Sequence, residues 1–137
     1  DASSDAASGC NALVNAAPLV TGRSVSGMTI PTATGGAIVD GVYHLTDIIY
    51  YRSVTTPAVR RQTSRWTGGR AETVTASASG PEQRLTTSVL TPSGAVLSGT
   101  VECPAGAGPV MLQHTATPTQ ITNFFGSDQR IEIFTRQ

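Results

Sequence analysis

The chain has 137 residues with nine Arg, no Lys, nine acidic residues and a formal net charge of zero. With no cationic excess it lacks the charge that drives binding to phosphate backbones, which excludes a nucleic-acid module. The length suits one domain, no apolar run reaches membrane-spanning length, and with only 13% charged residues Ser and Thr must supply the polar surface.

Residues 1–9 are small and polar and carry no large apolar side chain. They cannot bury enough surface to offset their ordering entropy and read as a flexible linker. Residues 10–137 read as the single folded domain. Such a tether suits a secreted protein, or a lipoprotein whose lipidated cysteine lies upstream of Asp1; the expected locations are therefore secreted, periplasmic or outer-membrane-anchored. Cys10 and Cys103 are the only cysteines. An even count in a Ser/Thr-rich, Lys-free domain favours a disulfide over two buried thiols. Closing a loop of roughly 90 residues would contribute about 4–5 kcal/mol in the chain-entropy model. No CxxC or HxxxH spacing supports a metal site.

Helical periodicity is confined to Asn11–Val20, where Leu13, Val14 and Ala17 share a face and one or two turns are expected. From Gly36 onward short runs of β-branched residues alternate with Gly, Pro, Ser and Asp, the pattern of strands and turns. Eight strands are expected, at about 39–54, 59–67, 70–77, 82–90, 95–103, 110–117, 120–125 and 129–136. Gly68-Gly69 and Thr91-Pro92-Ser93-Gly94 supply turns. Eight short strands joined by hairpins form an antiparallel meander, which closes most economically into an up-and-down barrel without exposed edges. A β-sandwich is the alternative. Inward-facing candidates are Tyr43, Leu45 and Ile49 on the first strand, Val96 on the fifth, and Ile131 and Ile133 on the eighth. Val42, Ile48 and Tyr50 make the other face of the first strand nearly as apolar. That strand needs cover outside as well, and Leu13–Ile30 is the segment available to give it.

Cys10-Asn-Ala-Leu-Val-Asn-Ala-Ala-Pro18, Gly36, Asp40-Gly-Val-Tyr-His-Leu-Thr46, Val101-Glu-Cys-Pro104 and the closing Ile131-Glu-Ile-Phe-Thr-Arg-Gln137 together resemble exported proteins and lipoproteins of high-GC, myxobacteria-like genomes. The Gly41-x-Tyr43-x-Leu45-Thr46 opening is also similar to the first strand of lipocalin-like (calycin) barrels. The lipocalin Gly-x-Trp signature is missing, since Trp66 lies in the second strand. The resemblance implies export and a barrel rather than an activity.

No Gly-x-Ser-x-Gly elbow frames a nucleophile. His44 and Asp47 fall on opposite strand faces, which disfavours a base–carboxylate pair. Glu72, Glu82, Glu102 and Glu132 sit on different strands and are expected to be exposed partners of arginines rather than a catalytic pair. Gly106-Ala-Gly108-Pro109 lacks the Gly and Lys of a phosphate cradle, so no cofactor is expected. The densest constellation is Arg60, Arg61, Arg65, Trp66 and Arg70. Arg61 and Arg65 share one strand face, Arg60 and Trp66 the other, in a strip suited to anions through guanidinium contacts. The expectation is a monomeric, non-catalytic barrel that binds a small apolar or amphipathic ligand, or an anionic glycan, through Tyr43, Tyr51, Arg61, Arg65, Trp66 and His114. The alternative is a side-chain-filled barrel acting as an envelope or extracellular module, or an inhibitor, through loops such as 104–109.

Overall fold

A computed structural model describes residues 9–89 and 92–137. The linker expected at 1–9 therefore falls almost wholly outside the described residues, as does Leu90 at the end of the expected fourth strand. In chain order the strands are β1 (Val20–Thr21), β2 (Arg23–Ser24), β3 (Gly41–Tyr50), β4 (Val59–Thr67), β5 (Arg70–Ser77), β6 (Gln83–Val89), β7 (Val96–Cys103), β8 (Gly108–Ala116), β9 (Gln120–Phe125) and β10 (Arg130–Arg136). Strands β3 to β10 pair antiparallel with their chain neighbours, and β3 also pairs with β10. The result is a closed eight-stranded barrel rather than a sandwich. Glycine makes the tightest hairpin possible: Gly68 and Gly69 both take positive φ (54° and 79°) between Thr67 and Arg70, a conformation side-chain-bearing residues rarely adopt.

Sequence order positions the interior through one irregularity. The β3–β10 register pairs Ile133 with Asp47 but Phe134 with Leu45, so Thr46 is an extra residue in β3. A bulge of this kind turns the following side chains over. Tyr43 and Leu45 before it, and Ile48 and Tyr50 after it, therefore share the inner face and join Ile121 and Phe134 in one buried cluster. Ile49, expected inward, points out. The eighth strand is likewise reversed from expectation: Glu132 and Phe134 are the register partners of inward Ile48 and Leu45, whereas Ile131 pairs with outward Ile49. On β7 it is Leu97 that is buried, not Val96.

The outward apolar face is covered by the chain before β3, which wraps the barrel as a strap. The disulfide Cys10–Cys103 anchors its start to β7. Asn11 then donates to the Leu85 carbonyl (3.0 Å), Arg84 to the Leu13 carbonyl (2.6 Å), and the Ala17 amide to Thr63 Oγ1 (3.3 Å). These contacts replace the expected helix. With Pro18 at its end the segment gives most of its hydrogen bonds to barrel partners, with one backbone bond of its own from Ala16 to Val14, and Leu13 and Ala17 are buried by lying flat. β1 and β2 then fill the seam where β3 and β4 part, β1 pairing with β4 and β2 running parallel to β3. Gly22 lies between them because a Cβ there would stand 2.7 Å from the Tyr50 ring. Beyond the seam Val25, Ile30 and Ala33 pack on Ile49, Phe124 and Ile131. The cover expected from Leu13–Ile30 is thus present, and it extends to Gly35, which bridges Thr115 on β8.

Candidate functional site

The barrel has an upper end, bearing the Gly68–Gly69 hairpin, and a lower end, bearing the disulfide. Alternation along β4 sends Arg60, Gln62, Ser64 and Trp66 inward, from the lower end to the upper one. Arg60 reaches Glu132 on β10 through its side chain, and the register pairs Trp66 with Ala71 and Gly41.

The lower end is filled by charge. Glu132 is buried, contrary to the exposed role expected of it. Both of its carboxylate oxygens accept from Arg60, one of them at 2.9 Å, and Arg130 Nε lies 3.0 Å from it. That Nε is buried and its contact with Glu132 is ionic, without hydrogen-bond geometry. The Arg130 guanidinium lies 4.4 Å from the centre of the Phe125 ring and also pairs with Asp128. Asp128 in turn accepts from Arg52, and this bond, aided by the charges of Arg130 and Arg52 and opposed by partial burial, holds its carboxyl below the usual aspartate range. Buried charges persist only when paired in this way.

Beside the inner cluster lies a cavity of about 140 Å³, partly open to solvent. Leu97, Val110, Leu112, Ile121 and Phe134 on β7 to β10 give it an apolar wall, with Asn123 of β9 set among them; Gln62, Ser64, Thr73 and Thr87 on β4 to β6 give it a hydroxyl and amide wall, and Trp66 stands at its upper side. Among the described residues no charged side chain lines it. Among the described residues the Asn123 carboxamide has no hydrogen-bond partner, whereas Gln62 Oε1 accepts from Arg60 Nε (3.1 Å) and so links the cavity to the charged floor.

A crossing segment restricts the upper end. Between the strap and β3, Ile38 packs on the inner cluster, and the Tyr43 hydroxyl donates to the Val39 carbonyl. Burial is the main cause that raises the Tyr43 phenol above its ordinary pKa; Asp40 adds to it and Arg136 opposes it. His114 is fully buried, and its two ring nitrogens lie 3.1 Å from the Ala95 carbonyl and 2.9 Å from the Gly36 carbonyl. It fastens the crossing segment to β8.

The six ligand-binding candidates are therefore dispersed. Trp66 lines the cavity; Tyr43 and His114 are inside but committed to the crossing segment. Tyr51 packs with the outer cluster under the strap. Arg61 and Arg65 lie on the outer face of β4, where Arg65 donates to Glu72 at 2.7 Å. The arginine strip forms no single anion surface, since Arg60 is spent on Glu132, Arg65 on Glu72, and Arg70 lies 3.6 Å from Glu102. His44 and Asp47 do not meet; Asp47 accepts from Arg23 at 2.9 Å, a bond that raises the Arg23 pKa. The cavity residues that composition did not flag, Gln62, Ser64, Thr73, Thr87 and Asn123, are reachable by counting in twos from Trp66 along β4 and then across the register. No family model matches the chain, and neither does any curated protein or solved structure.

Proposed function

We propose that this chain is an exported, non-catalytic barrel that binds a small apolar or amphipathic molecule in its upper interior. The observation that carries this reading is the cavity itself, beside an end of the same barrel that is packed solid. Side chains can fill an eight-stranded barrel of this size completely, so a cavity left inside this one marks the place for a ligand. Its lining suits that use, with an apolar wall for burial and a few polar groups for orientation. The disulfide supports export, since such bonds persist in oxidising compartments.

Ligand-observed NMR against a library of small fragments tests the proposal, using the wild-type protein and a Val110→Phe variant that fills the cavity. Saturable binders of the wild type that Val110→Phe no longer binds are the expected result. The reading falls if no fragment binds, or if a correctly folded Val110→Phe protein binds the same fragments equally well.

A further inference from the structure

Resting on that reading, we infer the class of ligand: an uncharged molecule of one six-membered ring bearing a single hydrogen-bonding group, the chemistry of a phenol. Three features of the cavity fix it. The first is size. A protein cavity of about 150 Å³ is filled by one benzene ring, and this one measures about 140 Å³. A porphyrin or a whole long acyl chain cannot be enclosed in that volume, and the Arg60–Glu132–Arg130 cluster blocks extension toward the lower end.

Charge is the second feature. Among the described residues no ionised side chain lines the cavity, and the two arginines below it already hold Glu132. A carboxylate or ammonium on the ligand would leave water without a counter-charge to meet it, at a cost far above what the site can return. The ligand is therefore neutral.

The third is the distribution of polarity. Phe134 and Leu112 face the ring from the apolar wall, and Trp66 offers an aromatic surface with the offset or edge geometry such rings prefer. On β9, between the strands that carry Leu112 and Phe134, the Asn123 carboxamide, with an acceptor oxygen and two N–H donors, has no hydrogen-bond partner among the described residues, so a hydroxyl on the ligand finds a partner there. A sugar, polar around its whole edge, would turn hydroxyls toward Leu112 and Phe134 and leave them unpaired.

The test is a titration of the disulfide-bonded protein, followed by protein-detected NMR, with phenol, toluene, benzoate, glucose and decanoate. Phenol and toluene are expected to bind in the cavity, phenol more tightly, and benzoate, glucose and decanoate not to bind. In Asn123→Leu phenol affinity should fall by about three- to tenfold, the worth of one hydrogen bond, while toluene binding is kept, which also shows that the variant is folded. Equal loss for both ligands, or none for either, overturns the role of Asn123. Tight binding of decanoate, benzoate or glucose in place of phenol overturns the ligand class and leaves the binding barrel standing. Failure of all five together with an empty fragment screen removes the binding reading itself.

Discussion

Glu132 and Asn123 are register partners on neighbouring strands and point into the same barrel, yet their surroundings are opposite. Glu132 is buried and held by two arginines; Asn123 is half-buried, lines the cavity and has no side-chain hydrogen bond among the described residues. Across one register pair the barrel wall thus passes from a carboxylate enclosed by charge to a carboxamide beside open space. The contrast marks where side chains stop filling the interior, the place that the proposed function assigns to a ligand.

The largest expected effect lies outside the contrast and isolates it. Replacing both cysteines by serine removes a bridge across 93 residues of sequence separation and should lower stability by about 4–5 kcal/mol. Chemical denaturation measures this, and hydrogen exchange should show protection lost first at residues 11–17, with the barrel strands still closed. A loss below about 1 kcal/mol would mean that side-chain contacts alone hold the strap.

Next comes the charged end. Glu132→Ala leaves the half-buried Arg60 and Arg130 without their shared carboxylate and should cost about 1–3 kcal/mol, read from the same denaturation curves. Asn123→Leu at the open end removes no intramolecular hydrogen bond and should change stability by less than about 0.5 kcal/mol. Similar costs for the two variants would erase the distinction between the ends.

Asp128 sharpens the charged side by pH. Its carboxyl is depressed in the folded protein, chiefly by the bond from Arg52. A depressed folded value contributes stability that is present above the ordinary aspartate range, near about pH 4, and is lost as pH falls through the folded value. Asp128→Asn should therefore be less stable than the wild type at neutral pH, with the gap closing on acidification. Because Asp128 and Arg52 are partly exposed, the gap is modest and salt-sensitive. A gap independent of pH would assign the loss to packing.

Much of the fold was legible in the sequence, and the reasons are local. The strands at 59–67, 70–77 and 120–125 coincide with β4, β5 and β9, because β-branched alternation and turn residues bound them sharply. The disulfide and the covering strap followed from cysteine count and from a first strand apolar on both faces. What escaped depends on groups distant in sequence. The bulge at Thr46 exchanges Ile48 and Tyr50 with Ile49, and period-two reasoning continues blindly through it. Ile131 and Ile133 look like core residues because the strap gives the outer face of β10 a core of its own. Glu132 looks exposed because Arg60, which makes its burial tolerable, lies 72 residues away. The cavity escaped for a related reason: its hydroxyl and amide lining is indistinguishable in composition from the Ser/Thr-rich surface, and only strand parity separates them.

The most direct test of the central claim is the position of bound phenol, mapped by amide and side-chain chemical-shift changes on isotope-labelled protein. Trp66, the only tryptophan, supplies an indole N–H signal at the cavity itself. The account predicts saturable shifts concentrated at Trp66, Asn123 and Leu112, with Arg52 and Asp128 at the lower end unmoved. Shifts confined to the outer face or the strap, or none at saturating phenol, would contradict it.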